Sequence, residues 1–120
     1  PTATPKVEKV EWTEPPYKDY LEYNMLNKGF EPGFIKEAVR MIAECENGKW
    51  NPKAVGTNTD GSHDVGIMQI NDKWHKTRFE EQYGSWENAK DGFTNIDYAI
   101  NEIMVPQGNL SAWSCSKKYR

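Results

Sequence analysis

The sequence predicts an α+β domain, mostly helical with one small antiparallel sheet. Three observations carry this. Apolar residues recur at helical spacing in three separate stretches. A short β-like stretch between Val55 and Ile70 is broken by Asp60-Gly61, a hairpin-turn signal. The chain has 120 residues, enough for one compact domain with a single core.

Residues 1 to 16 (PTATPKVEKVEWTEPP) hold four of the seven prolines amid alternating charge. This predicts an extended arm or linker, with the folded domain at 17–120. Val7, Val10 and Trp12 are its candidate docking points. The chain opens on Pro1 rather than Met, as expected of a processed product. Residues 17 to 28 (YKDYLEYNMLNK) read as a helix with Tyr20, Leu21, Met25 and Leu26 on one stripe and Gly29 as its stop. Residues 33 to 47 read as a stronger helix. Ile35, Ala38, Val39, Ile42 and Cys45 face inward, and Gly48 ends it. Ser85 is positioned to start a helical turn over 85–91. The last long helix spans 94 to 104, with Ile96, Ala99, Ile100, Ile103 and Met104 inward and Pro106 and Gly108 as its end. A short turn over 112–117 brings Cys115 home.

Hydrophobic content is 37%, with five Trp and six Tyr to supply buried area. Net charge is -3, and no basic stripe of the kind that binds nucleic acid is present. No apolar run approaches membrane-spanning length. Cys45 and Cys115 fit two free buried thiols or one disulfide, and spacing does not choose between them.

Helical phase separates two glutamates beside Cys45. Glu46 lies four residues after Ile42 and seven after Val39, extending the apolar stripe. Glu44 shares the opposite face with Glu37 and Arg40 and should be solvated. Partial burial at the core edge disfavours ionisation and raises a carboxyl pKa, which is what a general acid needs. A carboxylate at a frayed helix end is the plainer alternative. In the hairpin, Asp60 precedes Gly61 and reads as a turn-former. Asp64 lies on the strand beyond, among amide and hydroxyl donors that favour its ionised form. It is either the ionised partner of Glu46, as in glycosidases, or a hydrogen-bond acceptor that stabilises the hairpin.

Asn58, Asp60, Ser62 and Asp64 alternate faintly like a calcium loop. His63 stands where that loop needs Gly, and Gln69 where it needs Glu. His63 and His75 have no further ligands at zinc spacing. No metal or cofactor is expected. Trp50, Trp74 and Trp113 are candidates for stacking on sugar rings. Trp50 suits the core better, and Trp74, between Lys73 and His75, suits a cleft.

NTDGSHDVGIMQINDKWH, residues 58 to 75, resembles the β-hairpin and following strand of c-type lysozymes. The resemblance implies that Asp64 is the catalytic aspartate. It places cleft residues at Asn58, Gln69, Asn71 and Trp74. His75 stands where the family commonly has Trp or Tyr, and a cysteine found shortly afterwards in animal members is missing. The preceding helix end resembles the family's catalytic-glutamate region, with Glu46 in the acid position. The Glu46-to-Asp64 spacing is one residue longer than in animal enzymes, implying an insertion near Gly48-Lys49. IAECENGKWNPKAV is also similar to bacterial lytic transglycosylases and resuscitation-promoting factors, although Asn47 replaces their common Ser. In the latter group that cysteine pairs with one near the C-terminus, after a Trp. Ala112-Trp113 and then Cys115 fit, so the resemblance implies a Cys45–Cys115 disulfide. NIDYAINEI and the following QG…W resemble the last helix and tail of that group.

The similarity covers about residues 30 to 118. It implies a lysozyme-like fold with a cleft beside the sheet. The expected activity is a muramidase that hydrolyses the β-1,4 bond between N-acetylmuramic acid and N-acetylglucosamine. Glu46 would be the general acid and Asp64 the nucleophile or stabiliser. Asn58, Gln69, Asn71, Trp74 and Trp113 would bind substrate. The alternatives are a lytic transglycosylase leaving 1,6-anhydro products and a non-catalytic glycan-binding module. The expected partner is peptidoglycan or a chitin-like oligosaccharide, not nucleic acid, met by a monomer at a secreted or periplasmic location. Mild acidity and a basic tail (SKKYR) point to a local role in wall remodelling.

Overall fold

The structure, a computed structural model, describes residues 14–115. The expected arm lies outside the described residues up to 13, as do the basic tail and the last part of the turn expected over 112–117. Residues 114 and 115 form a 3₁₀ turn.

Helix α1 spans Glu14–Asn27. It takes in Pro15 and Pro16, which the proline-rich composition places in the arm. Proline is tolerated in a first helical turn, where its missing N–H has no partner to lose. Tyr17, Leu21 and Met25, four residues apart, are buried. Leu26, expected on the same stripe, is 58% exposed, because the buried stripe is one residue narrow. Gly29, in the left-handed region, ends the segment.

Helix α2 (Pro32–Met41) buries Ile35, Ala38, Val39 and Met41. It does not run on to residue 47 as an α-helix. Ile42–Glu46 form a π turn, closed by the Asn47 N–H donating to the Ile42 carbonyl at 2.9 Å. The wider turn shifts the phase, so Cys45 is exposed instead of facing the core.

The sheet is antiparallel, with strands β1 (Val55–Thr57), β2 (His63–Val65) and β3 (Ile70–Asn71) in that order. Asp64, in the central strand, pairs with Gly56 on one side and Asn71 on the other. β3 stops at Asn71, and the expected strand through residue 75 gives way to helix α3 (Asp72–Tyr83). Asn71 caps it by accepting from the Lys73 N–H at 2.9 Å. Periodicity missed α3 because it is polar and Phe79 is its one buried residue.

A 3₁₀ turn at Trp86–Lys90 starts from Ser85, whose side chain accepts from the Glu87 N–H. Helix α4 (Gly92–Tyr98) then passes into a second π turn, Ala99–Met104, and α5 (Val105–Gln107). Ile96, Ala99, Ile100, Ile103 and Met104 are all buried as expected. α1 packs closely on α4, where a Cβ at Gly92 would overlap the Tyr17 ring. Pro106 does not end the helix; it sits in the first turn of α5, and Gly108 terminates it. Proline frees the Glu102 carbonyl four residues back, and the Arg78 Nη1 donates to that oxygen at 2.8 Å. The chain thus forms the predicted α+β fold, with the sheet set to one side of the helices. No described helix is long and apolar enough to cross a membrane.

Candidate active site

A cleft of about 550 Å³ lies between the sheet, α3 and the C-terminal turn. Glu46, Asp64, Gln69, Asn71, Trp74 and Trp113 line it, so six of the seven expected catalytic or substrate-binding residues meet there. Asn58 is not on the wall.

Glu46 is the last residue of the first π turn and is half-buried. Its Oε2 accepts from the Cys115 N–H at 3.3 Å. Burial raises its pKa above the usual carboxylate range. The Cys115 N–H opposes that shift, and the negative charge of Asp64 adds to it. Glu44, two residues earlier, pairs with Arg40 on the exposed face.

Asp64 is held from both sides. Asn71 Nδ2 donates to its Oδ1 at 2.9 Å and Asn58 Nδ2 to its Oδ2 at 3.2 Å. The Asn71 amide can only be oriented this way, since its oxygen accepts from the Lys73 N–H. Both amides also donate to Ser62 Oγ, which itself donates to Asp60 Oδ1 at 2.6 Å. Asp60 is the turn-former that its place before Gly61 implies. The Ser62 hydrogen bonds lower its pKa.

The two aromatic candidates differ. Trp74 is 71% exposed at the start of α3 and lines the cleft, with the Lys73 ammonium 5.0 Å from the ring centre. Trp113 is only 4% exposed and its indole N–H donates to the Met68 carbonyl. It forms wall more than platform. Trp50 is fully buried in the core.

The segment Gly66–Gln69 joins β2 to β3 and fixes the carboxylate strand against the helices. Gln69 adopts a left-handed backbone with φ 50°. Its Nε2 donates to the carbonyls of Gly66 and Ala54 at 3.0 and 3.2 Å. Asn95, which sequence reasoning passed over, and Asn47, noted there only as standing in place of a common Ser, clamp the same segment. Asn47 donates to the carbonyls of Asn51 and Gly66 at 2.9 and 3.2 Å. Asn95, fully buried, accepts from the Met68 N–H at 2.7 Å and donates to the Val65 and Ala89 carbonyls. An asparagine beside Ile96 and four before Ala99, on an apolar stripe, was the available signal.

His75 and Arg78 also line the cleft. Burial lowers the pKa of His75, and Arg78 adds to the effect. Its Nδ1 lies 2.9 Å from the Tyr98 hydroxyl, whose own pKa burial pushes up to about 12. Trp74, His75 and Arg78 share one helical face, a signal visible only once α3 is known.

Cys45 and Cys115 form a disulfide. It anchors the C-terminal turn beside Glu46. Among the described residues no three His, Cys, Asp or Glu side chains gather where a metal ion could sit.

A family model described as a lysozyme-like domain matches residues 24–115. Protein IpgF of Shigella flexneri is 39% identical over an alignment of 74 residues, and the match covers 58% of this chain and 47% of the relative. Protein IpgF of Shigella sonnei matches with the same identity and coverage. The chain thus spans about half the length of the curated relatives it matches.

Proposed function

This chain belongs to the lysozyme-like domain family, and from that premise we propose that it hydrolyses the β-1,4 bond between N-acetylmuramic acid and N-acetylglucosamine in peptidoglycan. One observation carries the reading: a half-buried Glu46 with a raised pKa shares a single cleft with Asp64, whose two oxygens are held by amide donors. The pair fits the division of labour in a glycosidase. Glu46 keeps its proton and gives it to the leaving glycosidic oxygen. Asp64 stabilises the positive charge that develops on the sugar or attacks it, and water completes the hydrolysis. Trp74 stacks on a sugar ring; Gln69 and Trp113 shape the wall, and Asn58 and Asn71 position Asp64. The disulfide supports an oxidising, cell-wall-facing location.

A lytic transglycosylase is the second reading, favoured by the likeness of CENGKWNP to bacterial members of that group. There the muramic acid closes on itself, and the product is one water lighter. Mass spectrometry of the sugars released from purified peptidoglycan tests both. Hydrated products with Glu46→Gln inactive support the muramidase. Anhydro products, or full activity in Asp64→Asn, support the transglycosylase. Activity retained in Glu46→Gln sinks both, and glycan binding without any turnover leaves a binding module.

A further inference from the structure

The cleft is electrically two-sided. Glu46 and Asp64 sit at one part of its wall, and α3 supplies the other. Arg78 is the one permanent cation among the lining residues. The nearby Lys73 is not part of the lining; its ammonium lies 3.7 Å from Asp60 and 5.0 Å from the centre of the Trp74 ring. Arg78 does not serve to close the fold by a strong ion pair. Its Nη1 is anchored by the Glu102 carbonyl at 2.8 Å, and the Glu102 carboxylate stands off at 4.0 Å. A guanidinium has five N–H donors in a planar fork, and among the described residues only Nη1 is engaged. The side chain is 47% exposed and lines the cleft, which leaves donors of the fork for a ligand there. Trp74 lies one helical turn away on the same face, about 6 Å along the axis. A sugar stacked on Trp74 thus brings its substituents to Arg78.

We propose that Arg78 forms a carboxylate subsite, so that the enzyme selects aminosugar chains bearing acidic substituents over neutral ones. The anchored Nη1 limits the freedom lost on binding, and the open edge matches a carboxylate in bidentate fashion. This deepens the peptidoglycan reading and rests on it. A neutral chitin-like chain would fill the same cleft without using Arg78. The carboxylate has two chemical sources: the lactyl group of a peptide-free glycan strand, or the acidic residues of an attached peptide.

The test measures binding by calorimetry in the Glu46→Gln protein, which holds substrate without turnover. Three tetrasaccharides serve as probes: neutral chitin tetramer, peptide-free peptidoglycan tetramer and its peptide-bearing form. We expect a preference of about tenfold for a carboxylate-bearing probe over chitin. That preference should fall to near one with Arg78→Gln and partly persist with Arg78→Lys. Preference for the peptide-free probe assigns the lactyl group; preference for the peptide-bearing probe alone assigns the peptide. As a second variant, Glu102→Gln removes the competing carboxylate and should raise the preference two- to threefold. An equal affinity for all three probes, or a preference that survives Arg78→Gln or falls with Glu102→Gln, overturns the subsite. Failure to bind any probe overturns the glycan-cleaving reading itself.

Discussion

Glu44 lies 3.3 Å from Arg40 on an open helix face, whereas Glu46 turns into the cleft and loses water. Two residues of separation thus place one carboxyl in solvent and the other in the cleft. The sign of the effect on stability follows. A raised pKa in the folded state means that ionisation opposes folding. The protonated form's contribution is complete below the unfolded value and is lost as pH rises through the folded one. Glu46→Gln should therefore raise the melting temperature at neutral pH and have little effect below about pH 4. Equal melting temperatures at neutral pH would show that the site tolerates the charge. The proposed general-acid role predicts the matching limb: kcat/KM should fall as pH rises through the Glu46 pKa. Asp64 is one cause of the elevation. In Asp64→Asn, the residual activity should therefore lose its alkaline limb at lower pH than the wild type does. A pH profile checks this, and an unmoved limb would mean that the two carboxyls do not sense each other. Helical phase distinguished these glutamates in the sequence because both faces of the stretch 33–47 are well patterned. It erred on Cys45, since a π turn inserts width that no residue type announces.

At the scale of elements, the strand that carries Asp64 is held by polar side chains and not by apolar packing alone. The Gly66–Gln69 segment has few ladder hydrogen bonds of its own, so Asn47, Asn95 and Trp113 satisfy it. Asn95→Ala leaves the Met68 N–H and the Val65 carbonyl buried without this partner, costing about 3 kcal/mol. Gly66→Ala should cost at least about 2 kcal/mol, because φ is +85° and a Cβ there would overlap the Asn95 amide and the Ala89 carbonyl. Urea unfolding measures both. A loss below about 1 kcal/mol in either variant would show that the segment is held by something else. The β-hairpin was readable because Asp60-Gly61 marks its turn and the strands flank it. α3 was not, since a helix with one buried residue leaves almost no periodic trace. That omission hid Arg78, whose place in the cleft depends on the helix and on the carbonyl that Pro106 frees far along the chain.

On the scale of the whole molecule, one covalent link joins the acid-bearing helix end to the C-terminal turn. The cysteines are 70 residues apart, so the disulfide removes a large loop from the unfolded ensemble. The loop-entropy relation gives about 4 kcal/mol, and the double variant Cys45→Ala/Cys115→Ala should melt on the order of 15 °C lower. The same variant should alter the chemistry. Loosening the turn removes the Cys115 N–H, which holds the Glu46 pKa down, and admits water, which relieves the burial that holds it up. Burial is the larger of the two effects, so hydration wins and the pKa falls toward its ordinary value. The alkaline limb of kcat/KM should then move to lower pH, measured well below the variant's melting temperature. A limb that moves upward would mean that the turn stays closed and only the hydrogen bond is lost. An unmoved limb with the full loss of stability would confine the disulfide to folding.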